Sequence, residues 1–140
     1  GLIYFVCVLA LLQGVVSLIQ RIASVRHIRS YRPRSAWAPR IVVFCPCRGA
    51  DAGFRENVRS ILDQEYPHYR AVFIVDSAQD PAAWLLAEMN AAVIVAGDAV
   101  DCGQKVHNLV YGIEDAAGDA EVFVFCDVDA RFPREWLTRL

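Results

Sequence analysis

The first 40 residues contain no aspartate or glutamate, and residues 2–20, LIYFVCVLALLQGVVSLIQ, contain no charged side chain of either sign. This run of 19 residues approaches the roughly 20 that a helix needs to cross a bilayer. The charges that follow are all positive: Arg21, Arg26, Arg29, Arg32, Arg34 and Arg40. A cleaved secretory leader has its basic residues in front and an apolar stretch of only about 7–15 residues. Here the order is reversed and the run is longer. Arginines just after an apolar span mark its cytoplasmic flank, so the body of the chain is expected on the cytoplasmic side of a membrane. The expected organisation is a single N-terminal transmembrane helix over 1–24, a basic juxtamembrane linker over 25–40, and a catalytic or binding body over 41–140. That body holds 8 basic and 16 acidic side chains, a net of −8. No nucleic-acid partner is expected of it.

Cysteine spacing excludes a second group of classes. Cys7, Cys45, Cys47, Cys102 and Cys126 form no C-x-x-C pair. An odd number without framework spacing fits a reducing compartment in which thiols serve as small core residues. Cys45-Pro46-Cys47 also lacks the matching pair that a zinc site requires.

The body itself alternates apolar runs with amphipathic segments. IVVFC (41–45), AVFIV (71–75), AAVIVA (91–96) and EVFVFC (121–126) read as strands, the first closed by Pro46. Between them, FRENVRSILDQ (54–64) places Phe54, Val58, Ile61 and Leu62 on one helical face. PAAWLLAEM opens on Pro81, a favourable first helical residue. GQKVHNLVYGIEDAAG (103–118) spaces Val106, Leu109, Val110 and Ile113 as a helix would, with Gly118 suited to its end. PREWLTRL is expected to begin a further helix with Pro133 in its first turn. Continuous apolar strands separated by helices predict an α/β fold, a parallel sheet covered on both faces.

In such sheets ligands bind beyond the carboxyl ends of the strands. Those ends read PCRGAD, DSAQD, GDAVDCGQK and DVDAR, each with at least one aspartate. If the chain stays extended between them, Asp127 and Asp129 point to the same side. Two hard oxygen ligands suit Mg²⁺ or Mn²⁺ shared with phosphate oxygens; an acidic turn capping the next helix is the plainer alternative. Asp76, leaving the second strand, is placed to accept a base N–H or a ribose hydroxyl. Asp80 is either a second such acid or the N-cap of the helix at Pro81. Lys105, the chain's only lysine, stands at a helix start where it either pairs with phosphate or is solvated. His107 and Asn108 lie one turn further on, with capping, surface and ligand roles open to both. Arg48, beside Gly49, either clamps phosphate or neutralises Asp51.

In order along the chain, CPCRGADAGFRENVRSILDQEYPHYRAVFIVDSAQDP, GQKVHNLVYGIEDA and VFVFCDVDARFPREWL resemble the family 2 glycosyltransferases, within them the ceramide glucosyltransferase-like branch. The resemblance covers nearly all of residues 40–140. It implies a GT-A α/β/α sandwich that binds a nucleotide-sugar, expected to be a UDP-sugar, with a divalent metal, and transfers the sugar with inversion to a hydroxyl acceptor such as a lipid. By the same resemblance Asp76 faces the nucleoside, with Asp80 competing for that place. Asp127 and Asp129 form the metal and diphosphate site, and Lys105 and Asn108 match the family's Lys and Asn ahead of it. The family's general base and a later Arg- and Trp-containing motif are expected beyond Leu140. With Gly1 in place of an initiator Met, the sequence reads as truncated at both ends and is expected to bind donor without transferring sugar. Two other readings remain. A sugar-phosphate nucleotidyltransferase shares the alternation but has a glycine-rich loop after its first strand, where PCRGADAG has two glycines. A non-catalytic nucleotide-sugar-binding membrane module would keep the fold alone.

Overall fold

The computed structural model describes residues 1–30 and 37–140, in two compact units, Gly1–Ser35 and Ala36–Leu140. The first unit is one helix, α1 (Leu2–Ser30), 29 residues long. At about 1.5 Å per residue it exceeds the roughly 30 Å hydrocarbon core of a bilayer. Within it, Leu2–Ile28 is long and apolar enough to cross a membrane. The helix continues six residues past the expected limit at residue 24, since neither Gly nor Pro occurs between Gly14 and Pro33 to stop it. Of the linker expected over 25–40, residues 31–36 lie outside the described residues.

The second unit is built on four parallel strands, β1 (Ile41–Cys47), β2 (Tyr69–Val75), β3 (Ala92–Val95) and β4 (Val122–Phe125), in the order β3-β2-β1-β4. β1 and β2 are central, and their buried stretches IVVFC and AVFIV are continuously apolar for that reason. Their alternate side chains feed two cores. Val43, Cys45, Phe73 and Val75 pack against α2 (Phe54–Leu62) and α3 (Pro81–Glu88), through Val58, Ile61 and Leu86. Val42, Phe44, Val72 and Ile74 pack on the other face against α4 (Gln104–Ala116).

β1 runs through Pro46 instead of ending there. The Phe44 carbonyl accepts from Cys126 N, so that side of β1 faces β4, and Pro46 two residues on faces the same way. Register pairing with β4 stops at Phe44, so the missing Pro46 N–H breaks no ladder bond.

Two expectations are refined and a third is corrected. On α4, Leu109 and Ile113 pack against the sheet as expected, but the buried positions are Asn108, Gly112 and Ala116, and Val106 and Val110 are exposed. Gly112 explains the rotation: a Cβ there would lie 2.6 Å from Ile74 Cδ1 and 3.3 Å from Phe44 Cδ1, so the helix rests its backbone on the sheet. The sheet carries helices on both faces as expected, but the cover thins towards its edge, where β4 alternates and leaves Phe123 and Phe125 exposed. PREWLTRL forms a turn and a short 3-10 segment (Leu137–Arg139), not an α-helix. Its backbone groups are claimed elsewhere, since Gln64 donates to the Pro133 carbonyl and accepts from Leu137 N, and Glu65 N donates to the Arg134 carbonyl.

Candidate functional site

The order β3-β2-β1-β4 reverses direction between β1 and β4, and open parallel sheets present their ligand crevice at such a point. A cleft of about 630 Å³ lies there, within the range of about 300–1,000 Å³ usual for small-molecule sites. The β1 exit contributes Arg48, Gly49 and Asp51; β2 contributes Asp76; the first turns of α4 contribute Gln104, Lys105 and Asn108; the β4 exit contributes Asp127 and Asp129.

Asp76 leaves β2 immediately after Val75, and its Oδ1 accepts from Asn108 Nδ2 at 2.7 Å. Its Oδ2 lies 3.9 Å from Arg48 Nε. Arg48 thus answers Asp76 and not Asp51, whose Oδ1 accepts from Gly53 N in a local turn. Across the cleft, Lys105 Nζ donates to Asp127 Oδ1 at 2.5 Å. This hydrogen bond raises the Lys105 pKa above the ordinary lysine value, so the side chain stays protonated through the physiological range. Asp127 and Asp129 both reach the cleft, but not along an extended chain: Val128 and Asp129 turn, and Ala130 N approaches the Asp127 carbonyl at 3.4 Å.

Asp80 is placed differently from the other candidates, outside the cleft lining. Its Oδ1 accepts from Ala82 N at 2.8 Å as the N-cap of α3, and both oxygens accept from Gly49 N at 2.9 and 3.1 Å. Gly49, at φ +65°, makes the turn that aims its N–H there. Asp80→Ala is therefore expected to lower stability by about 1–2 kcal/mol through the lost cap, and to change UDP affinity by less than threefold. Calorimetry alongside thermal unfolding separates the two effects. A tenfold loss of UDP affinity at unchanged stability would return Asp80 to the binding site.

His107 turns away from the cleft, its Nε2 on the Ala96 carbonyl. Gln104, which the sequence did not single out, sits in it; the available clue was its i, i+4 spacing to Asn108. Cys45 and Cys47 are buried in the core and Cys126 packs against it. Hydrogen bonding to Cys126 and Cys47, with burial, pushes the Cys45 thiol well up, which suits an inert core residue.

Among the described residues no three His, Cys, Asp or Glu side chains converge as a ligand set. The pair Asp127 and Asp129 is nonetheless the donor set Mg²⁺ and Mn²⁺ use when they are held by one or two carboxylates plus phosphate oxygens and water. These two carboxylates are the residues that could hold a metal arriving with a phosphorylated ligand.

Comparison with solved structures returns the fold. The chain is similar to S. aureus TarS 1-349 with a TM-score of 0.55 at 18% identity, over 71% of this chain and 30% of that one. A second crystal structure of S. aureus TarS gives 0.56 at 19%, over 71% and 18%. The chain thus spans less than a third of the length of either. No curated protein matches it. The match that covers the apolar helix, the sheet and the cleft together is to glycosyl transferase family 21, over residues 2–140, and the chain belongs to that family.

Proposed function

We propose that this chain is the donor-binding part of a membrane-anchored, inverting glycosyltransferase that takes a UDP-sugar with Mg²⁺ or Mn²⁺ and serves a hydroxyl acceptor, with a lipid such as ceramide as the acceptor class. The observation that carries the reading is the convergence of Asp76, Asn108, Lys105, Asp127 and Asp129 on one cleft at the reversal point of the sheet. In this reading Asp76 accepts from the base or ribose, and Arg48 and Lys105 face the diphosphate. Asp127 and Asp129 hold the cation, which supplies charge neutralisation for the departing nucleoside diphosphate. The apolar length of α1 and the all-basic flank after it support an anchor with the body on the cytoplasmic side. Family membership supports the transferase class.

Calorimetry on the whole chain in detergent micelles, with UDP-glucose and Mn²⁺, tests the reading. Binding is expected to need both parts of the ligand, with affinity at least about tenfold weaker when EDTA replaces Mn²⁺, the scale of one lost charged contact. Equal affinity in EDTA would remove the metal from the proposal, and no binding in either condition would remove the donor.

A further inference from the structure

The carboxamide of Gln104 is held at three points. Its Oε1 accepts from Ala99 N at 2.9 Å, and its Nε2 donates to the Gly97 carbonyl at 2.8 Å and to Asn108 Oδ1 at 2.8 Å. Asn108, only 3% exposed, passes the chain on through Nδ2 to Asp76 Oδ1. A backbone N–H only donates and a backbone carbonyl only accepts, so the loop at 97–99 fixes which way the Gln104 amide faces. With Nε2 directed at Asn108, only the Asn108 oxygen can meet it, and the Asn108 nitrogen is left for Asp76. The reversed Asn108 amide would set two N–H donors against each other at Gln104, with no acceptor between them, and oxygen against the Asp76 carboxylate, with no proton between them. Two backbone groups thus set the polarity of two side-chain amides, and the Asp76 carboxylate, an acceptor at either oxygen, stands at the end of the relay.

We propose that Gln104 is a positioning residue, which orients Asp76 through Asn108 and thereby sets the affinity for the nucleoside part of the donor. The inference rests on the role given to Asp76 above. It assigns the β3-α4 loop a purpose: Gly97 and Ala99 are the fixed ends from which the nucleoside-reading acid takes its direction.

The test measures UDP binding, with Mn²⁺ present, by the whole chain in detergent, for Gln104→Glu, Gln104→Met, Asp76→Asn and the double variants. Gln104→Glu keeps the acceptor for Ala99 N but has no donor for Asn108; it is expected to weaken UDP about tenfold, the scale of a misdirected hydrogen bond to a charged group. Gln104→Met removes donor and acceptor without adding charge, and is expected to give a loss in the same direction, which separates the missing relay from any effect of the new carboxylate on the loop. Affinity for manganese pyrophosphate, which has no nucleoside, is expected to stay within about twofold, and Gln104→Glu placed on Asp76→Asn to add less than about twofold. If Asp76→Asn itself leaves UDP affinity unchanged, the nucleoside role of Asp76 fails and the relay with it. If Asp76→Asn weakens UDP but both Gln104 variants bind normally, or their losses add in full to it or extend equally to pyrophosphate, the positioning role is overturned while the role of Asp76 stands.

Discussion

Asp127→Asn and Asp129→Asn are each expected to weaken Mn²⁺-dependent UDP binding by about tenfold to a hundredfold, whereas Lys105→Met is expected to move two affinities in opposite directions. Each Asn keeps the shape of the acid but presents a neutral oxygen, giving up a charge-assisted contact of about 1.5–3 kcal/mol. Lys105 behaves differently because its present partner is a proposed metal ligand. The Lys105–Asp127 pair is more than half exposed on both sides, and exposed pairs are worth about 0–1 kcal/mol. Such a pair is easily exchanged. On the proposed metal assignment, Lys105 without nucleotide competes with the cation for Asp127, so Lys105→Met should bind Mn²⁺ alone up to about fivefold more tightly. With nucleotide, the ammonium is free to face phosphate, and its removal should weaken UDP about tenfold or more. Manganese titration followed by electron paramagnetic resonance, and calorimetry with UDP, read the two quantities separately. Unchanged UDP affinity in both Asp variants would defeat the metal assignment, and a fall in both quantities for Lys105→Met would defeat the exchange.

The sequence made the strands and the location of the candidate cleft legible, but not the faces and turns that complete them. β1 and β2 declare themselves because central strands of a parallel sheet are apolar on both sides, and the acids follow from the rule that such sheets bind at their carboxyl ends. Strand order is not written locally, since each parallel connection passes through a helix. The inward face of α4 was half legible, in Leu109 and Ile113; counting apolar residues also favours Val106 and Val110, whereas the close approach is made at Gly112, whose value lies in what Ile74 and Phe44 need. Asn108 lies on that same face, so the helix that packs through Gly112 also delivers the amide to Asp76. The N-cap reading of Asp80 was visible from Pro81, but its bonds to Gly49 N join segments 31 residues apart and have no local trace. Gln104 was missed because its place in the cleft depends on two backbone groups of a loop that sequence alone does not shape.

Phe44→Ala is expected to have the largest effect on stability, about 3–5 kcal/mol, because three elements meet on that ring. Phe44 is fully buried in β1, stands edge-on to Phe123 at 5.7 Å and stacks with Phe125 at 5.9 Å, and lies under Gly112 of α4. Removing it opens a void where α4 rests its backbone, and the same helix carries Asn108 one turn before Gly112 and Lys105 about two turns before. Stability and UDP affinity should therefore fall together. Phe125→Ala is the control: its ring is 51% exposed, so less area returns to water and about 1 kcal/mol is expected. Thermal unfolding of the whole chain in detergent, followed by circular dichroism, should show Phe44→Ala more than about 10 °C below the unaltered chain and Phe125→Ala within a few degrees of it. Equal losses in the two variants would mean that α4 does not bear on β1 through Phe44, and the packing that brings Asn108 to Asp76 would have to be redrawn.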